Sequence, residues 1–241
     1  MRIKSFCLCF AVVLATYGGA VAEVSAAPEH IYMVEGKKLE AGEKKEIKAK
    51  LLSGDFTIKG SETILGTKIP FVIECKKFKL NAAEKPLIVG GNPGTSEKEK
   101  FEFEECEATL DGTKCGSVTI ETVKVNNELV TIIHPATKNG KLANWFVPAS
   151  GGVFWTIKVK SCGIFGSHEW KVEGSTAAAE FTEKTEKPVQ YWEWNEGEEI
   201  TEIERQSGSK FSIGLKSAGN TTTLNGQVEV ELVSKEMWGG F

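Results

Sequence analysis

Val153-Phe154-Trp155-Thr156-Ile157-Lys158-Val159-Lys160 decides the fold. In an extended chain Val153, Trp155, Ile157 and Val159 share one side, while Thr156, Lys158 and Lys160 point to the other. An apolar face opposite one rich in Lys and Thr belongs to a strand that covers a core and meets water. Trp155 is therefore expected in the core. The same period of two recurs in Phe71-Val72-Ile73-Glu74-Cys75, in Lys100-Phe101-Glu102-Phe103-Glu104, along Ser117 to Val125 and in Gln227-Val228-Glu229-Val230-Glu231-Leu232. Val, Ile, Thr and aromatic residues fill these runs, as a pleated, half-buried surface requires.

Turn residues punctuate the runs. Asp111-Gly112, Asn139-Gly140 and Asn225-Gly226 are read as tight turns, because Asn, Asp and Gly tolerate positive φ. Gly90-Gly91-Asn92-Pro93-Gly94 is read as a loop, and Thr182–Pro188 as a surface loop between strands. Lys37–Leu52 has a helix-like composition, but Gly36, Gly42 and Gly54 interrupt it; we expect a hairpin with a charged turn, a short helix being the alternative. The expected architecture is all-β: an antiparallel sandwich or a partly closed barrel, with little helix.

Arg2 and Lys4, an apolar run from Phe6 to Tyr17 and Ala20-Val21-Ala22 compose a secretory signal over residues 1–22. The run is shorter than the ~20 residues that span a bilayer. Residues 23–241 are expected to form one secreted β-domain, extracellular or in the cell envelope. Loss of Arg2 and Lys4 takes the formal net charge from −4 to −6, which argues against a nucleic-acid partner. Acids are nearly all Glu, with Asp55 and Asp111 the exceptions, and Arg205 is the one Arg after the signal. Calcium loops favour Asp, and phosphate clamps favour Arg.

A further set of motifs follows one order along the chain: Tyr32-Met33-Val34-Glu35-Gly36-Lys37-Lys38-Leu39, Ile73-Glu74-Cys75, Gly90-Gly91-Asn92-Pro93-Gly94-Thr95, Phe103-Glu104-Glu105-Cys106, Cys115, Pro148-Ala149-Ser150-Gly151, Lys160-Ser161-Cys162 and Val172-Glu173-Gly174-Ser175. In this order the chain resembles an uncharacterised family of secreted, paralogue-rich proteins from soil actinobacteria. The resemblance implies a bacterial, exported origin and carries no activity and no functional residue.

Cys75, Cys106, Cys115 and Cys162 are an even set in an exported chain, so two disulfides are expected. Three connectivities are open. The Asp111-Gly112 turn favours Cys106–Cys115, which leaves Cys75–Cys162. His30, His134 and His168 lack metal-site spacing, so no metal is expected, and His134 reads as a strand end. No nucleophile elbow or phosphate loop appears, and no cofactor is implied.

The leading expectation is a non-catalytic extracellular or cell-surface binding protein of unknown ligand, and not an enzyme. The alternatives are a carbohydrate-binding module or a secreted hydrolase that uses a Glu pair. The place to look for a ligand, a glycan above all, is Tyr191-Trp192-Glu193-Trp194-Asn195. Trp192 and Trp194 share a face, with Glu193 and Asn195 beside them, and exposed indoles stack on sugars. The competing reading puts both indoles in the core, where aromatics bury large areas, and the area argument favours it.

Overall fold

The computed structural model describes residues 29–180 and 184–241. The expected signal, residues 1–22, lies outside the described residues, as does part of the expected loop at Thr182–Pro188. The chain is all-β, as the alternation implies. Among the described residues, helical structure is confined to single 3₁₀ turns at Ala82–Glu84, Ala136–Lys138 and Gly163–Phe165.

Two sets of antiparallel pairings share the same long strands. In the first, Lys124–His134 pairs with Leu142–Pro148, which pairs with the C-terminal end of His168–Glu180. Val189–Trp194, the C-terminal half of Asn220–Leu232, Lys44–Leu51 and Leu87–Val89 follow in turn. Thr95–Leu110 then pairs back to Lys124–His134, so the hydrogen-bonded ring is closed. In the second set, the other ends of the long strands pair with Val153–Lys160, Gly214–Ser217, Phe56–Ile64 and Thr67–Leu80. Thr95–Leu110 runs 16 residues and Asn220–Leu232 runs 13, against a usual strand of about 5–6. A separate three-stranded sheet joins Lys37–Lys38, Tyr32–Val34 and Trp238–Gly240. Ile31 and Phe241 extend it by exchanging backbone hydrogen bonds of 2.8 and 2.9 Å.

Period-two burial fixes which side of each strand faces in. Along Asn220–Leu232, Thr222, Leu224, Gly226, Val228, Val230 and Leu232 are buried. Between them Glu229 and Glu231 point outward and pair with Lys50 and Lys48 of the adjacent strand at 2.5 and 2.9 Å. Such exposed pairs contribute about 0–1 kcal/mol each; their larger effect is to keep an outward face charged and neutralised. The interior is aromatic. Phe56 stacks on Phe78 at 5.3 Å, and Phe101 meets Phe146 edge-on at 5.3 Å. Trp155 is buried, as its alternation with Ile157 and Val159 requires, and His134 ends its strand.

Three expectations are corrected. Asn225-Gly226 is no turn, because the strand runs straight through it. Gly226 stands opposite Phe56, and a Cβ there would lie 2.5 Å from the ring, so the glycine makes room for an aromatic. Lys37–Leu52 is no hairpin. Glu35 and Gly36, at φ 50° and 74°, turn Lys37–Lys38 back onto Tyr32–Val34, and Lys44–Leu51 pairs elsewhere. The third concerns the cysteines. All four are in disulfides, but the bonds are Cys75–Cys106 and Cys115–Cys162. Asp111-Gly112 does form the expected turn, and its register opposes Leu110 to Thr113 and Thr109 to Lys114. Cys115 therefore meets Ala108, to which it donates its N–H at 2.8 Å, and falls two residues short of Cys106. Cys106 instead stands directly across from Cys75 on the neighbouring strand.

Candidate functional site

Val189–Trp194 is flanked on both edges, by His168–Glu180 and by Asn220–Leu232, so one of its faces must look into the interior. Trp192 and Trp194 share that face. They are 0 % and 4 % exposed, so the pair takes the core alternative that the area argument favours and not the open stacking one. Phe146 meets Trp192 edge-on at 5.1 Å, and Phe56 meets Trp194 likewise at 5.5 Å. Neither indole is open for a sugar ring to lie upon.

The same segment nevertheless borders a cavity. Where Val189–Trp194 runs on into residues 195–201, a cavity of about 290 Å³ opens to solvent. That lies at the lower end of the size range of small-molecule pockets. Trp194, Ile200, Ile213, Leu215 and Leu224 supply apolar wall. Glu193 and Asn195, two of the residues singled out from the sequence, border it as well; Trp192 does not.

Lys138, Glu193 and Glu198 form a charged cluster on this cavity. The Asn139-Gly140 turn and the 3₁₀ turn before it bring Lys138 here, with its side chain only 10 % exposed. Its ammonium lies 3.9 Å from Glu193 and 3.6 Å from Glu198. Glu193 also accepts from Gln227 Nε2 at 3.0 Å, and Asn195 Nδ2 donates to Glu198 at 3.4 Å. Two hydroxyls complete the lining. Thr176 Oγ1 accepts the Trp194 Nε1–H at 3.2 Å, which leaves the threonine's own hydrogen to give. Thr222 is 4 % exposed, and its hydroxyl has no hydrogen-bond partner among the described residues.

Neither Lys138, Glu198, Thr176 nor Thr222 was singled out from the sequence. Thr176 and Thr222 lie on His168–Glu180 and Asn220–Leu232, which Gly214–Ser217 joins, while Lys138 and Glu198 arrive on turns distant in sequence. The Glu196-Gly197-Glu198-Glu199 run after the Trp-rich strand was the one local signal available.

Two other polar groupings lie elsewhere. Glu99, Asn127, Asn144 and Glu180 point into the closed ring beneath Tyr32. Asn127 Nδ2 donates to Asn144 Oδ1 at 3.1 Å, Asn144 Nδ2 to Glu180 at 2.8 Å, and the Tyr32 hydroxyl to Asn144 Oδ1 at 3.1 Å. Glu99 is fully buried, and burial pushes its carboxyl up to about 8 against the pull of neighbouring Ser96 and Asn127. The buried Ser96 hydroxyl has no hydrogen-bond partner among the described residues. Burial, with Glu180 and Glu99 adding to it, raises the Tyr32 hydroxyl well above its ordinary value. On the outside, Arg205 grips Glu128 through two hydrogen bonds of 2.7 and 2.5 Å and lies 5.9 Å from the Trp145 ring, which stacks on Phe211. Among the described residues no three His, Cys, Asp or Glu side chains gather as a metal site. No helix among them is long and apolar enough to cross a membrane. No protein family, no curated protein and no solved structure matches this chain.

Proposed function

We propose that this protein is a non-catalytic binding protein, exported from a bacterial cell, that holds a small ligand in the cavity beside Trp194. The observation that carries this reading is the cavity itself, whose apolar wall and few convergent polar groups match the make-up of ligand sites. The two disulfides support an oxidising destination. A hydrolytic Glu pair holds water or a scissile bond between its carboxyls. Glu193 and Glu198 instead both flank the Lys138 ammonium.

The test compares the wild type with Ser175→Trp, which fills the cavity from its border, by thermal shift against a library of small fragments. Fragments that stabilise the wild type and not the filled variant support the reading. Identical responses overturn it. Turnover on polysaccharide or ester panels that disappears in Glu193→Gln would overturn the non-catalytic part.

A further inference from the structure

We infer that the ligand of this cavity is a small organic amine with an apolar or aromatic body and a hydroxyl. The inference rests on the cavity-binding reading above and adds to it the chemistry of the ligand.

Three features of the cavity set that chemistry. The first is the wall. Trp194, Ile200, Ile213, Leu215 and Leu224 offer no charge, so the part of the ligand against them is apolar. The second is Thr222. Along Asn220–Leu232 it alternates inward with Leu224, Gly226 and Val228, and its hydroxyl is buried without a partner. A buried hydroxyl left unmatched costs about 1–3 kcal/mol, so a ligand group that both gives and accepts a hydrogen bond is rewarded there. Thr176, with its oxygen already taken by Trp194, adds a directed donor on the same lining.

The third feature is charge. Glu193, Glu198 and Glu199 border the cavity against Lys138 and Lys216. Carboxylates outnumber ammonium groups, which disfavours an anionic ligand. Lys138 stands 3.6 and 3.9 Å from its two carboxylates, beyond hydrogen-bond reach of either, so their oxygens keep lone pairs to offer. A ligand ammonium donates to those lone pairs and gains charge-assisted hydrogen bonds that Lys138 does not make. A carboxylate ligand that approached Lys138 would face the repulsion of Glu193 and Glu198 beside it.

Three probes of one shape separate the terms: tyramine carries amine and hydroxyl, phenethylamine lacks the hydroxyl, and 4-hydroxyphenylacetate replaces the amine with an acid. Titration calorimetry on the wild type, Glu193→Gln/Glu198→Gln, Thr222→Val and the cavity-filled Ser175→Trp gives the affinities, and circular dichroism checks each fold. We expect tyramine to bind most tightly, to weaken by about tenfold or more in the double Gln variant, and to lose its advantage over phenethylamine in Thr222→Val. Tighter binding of 4-hydroxyphenylacetate than of tyramine, or tyramine affinity unchanged in the double Gln variant, overturns the inference. If other neutral or acidic fragments fill the cavity while all three probes fail, the ligand class is wrong and the cavity reading stands. If nothing distinguishes the wild type from Ser175→Trp, both fall.

Discussion

Glu99 accepts one hydrogen bond from Asn127, at 3.5 Å, and its second carboxyl oxygen has no partner among the described residues. Tyr32 and Glu180 are the other titratable groups of this cluster, and neither supplies a positive charge to hold Glu99 ionised. The carboxyl therefore keeps its proton in the native chain to about pH 8, whereas the unfolded chain releases it near 4.5. Between those values the native state binds more protons, so stability falls as pH rises, by up to about 1.4 kcal/mol per pH unit. The contribution is fully present below pH 4.5 and lost above pH 8. Urea melts of the wild type and Glu99→Gln at several pH values will show it: the wild type weakens relative to the variant as pH rises. Parallel stability curves would show that the carboxyl is not protonated in the native state.

Trp192 and Trp194 belong to the packing of the ring interior. Replacing either with Ala is expected to cost about 3–5 kcal/mol, with a matching fall in melting temperature. Near-normal stability in the double variant would mean that the indoles face solvent.

Gly226 lies under the Phe56 ring with no space for a methyl group. Gly226→Ala is expected to destabilise the chain by about 1–3 kcal/mol through overpacking. Combined with Phe56→Leu, the same change should cost less than the sum of the two singles. Strict additivity in a double-mutant cycle would count against the contact.

Peptide mapping without reduction should yield Cys75 linked to Cys106 and Cys115 linked to Cys162. The bridges join residues 31 and 47 positions apart, and the chain-entropy argument assigns each about 4 kcal/mol. Removing either pair as Ser should lower the midpoint of denaturation accordingly. A Cys106–Cys115 peptide as the main product would contradict the strand register.

The alternation in Val153–Lys160 and in Gln227–Leu232 carried the fold class because one residue of every two must face the core. Turn chemistry was less reliable. Asp111-Gly112 turns, while Asn225-Gly226 does not, since a glycine serves equally for positive φ and for yielding space to a ring on the next strand. The disulfides were legible as a pair of bonds but their partners were not: nearness to the Asp111-Gly112 turn favoured Cys106–Cys115, whereas the two-residue turn sets Cys115 opposite Ala108 and leaves Cys106 to Cys75 on the next strand. The cavity was not legible. Trp194, Thr222 and Lys138 border one cavity only because segments distant in sequence fold together, and no local pattern records that.

The pairing of Ile31 with Phe241, and of Lys44–Leu51 with Asn220–Leu232, sets an order on assembly. Both pairings join segments that lie far apart in the sequence. The cost of closing such long loops falls before their contacts repay it, so pairings of this kind form on the millisecond-to-second scale. Closure of the fold therefore waits on its most distant contacts, while the hairpin of Phe56–Ile64 with Thr67–Leu80 can form at once.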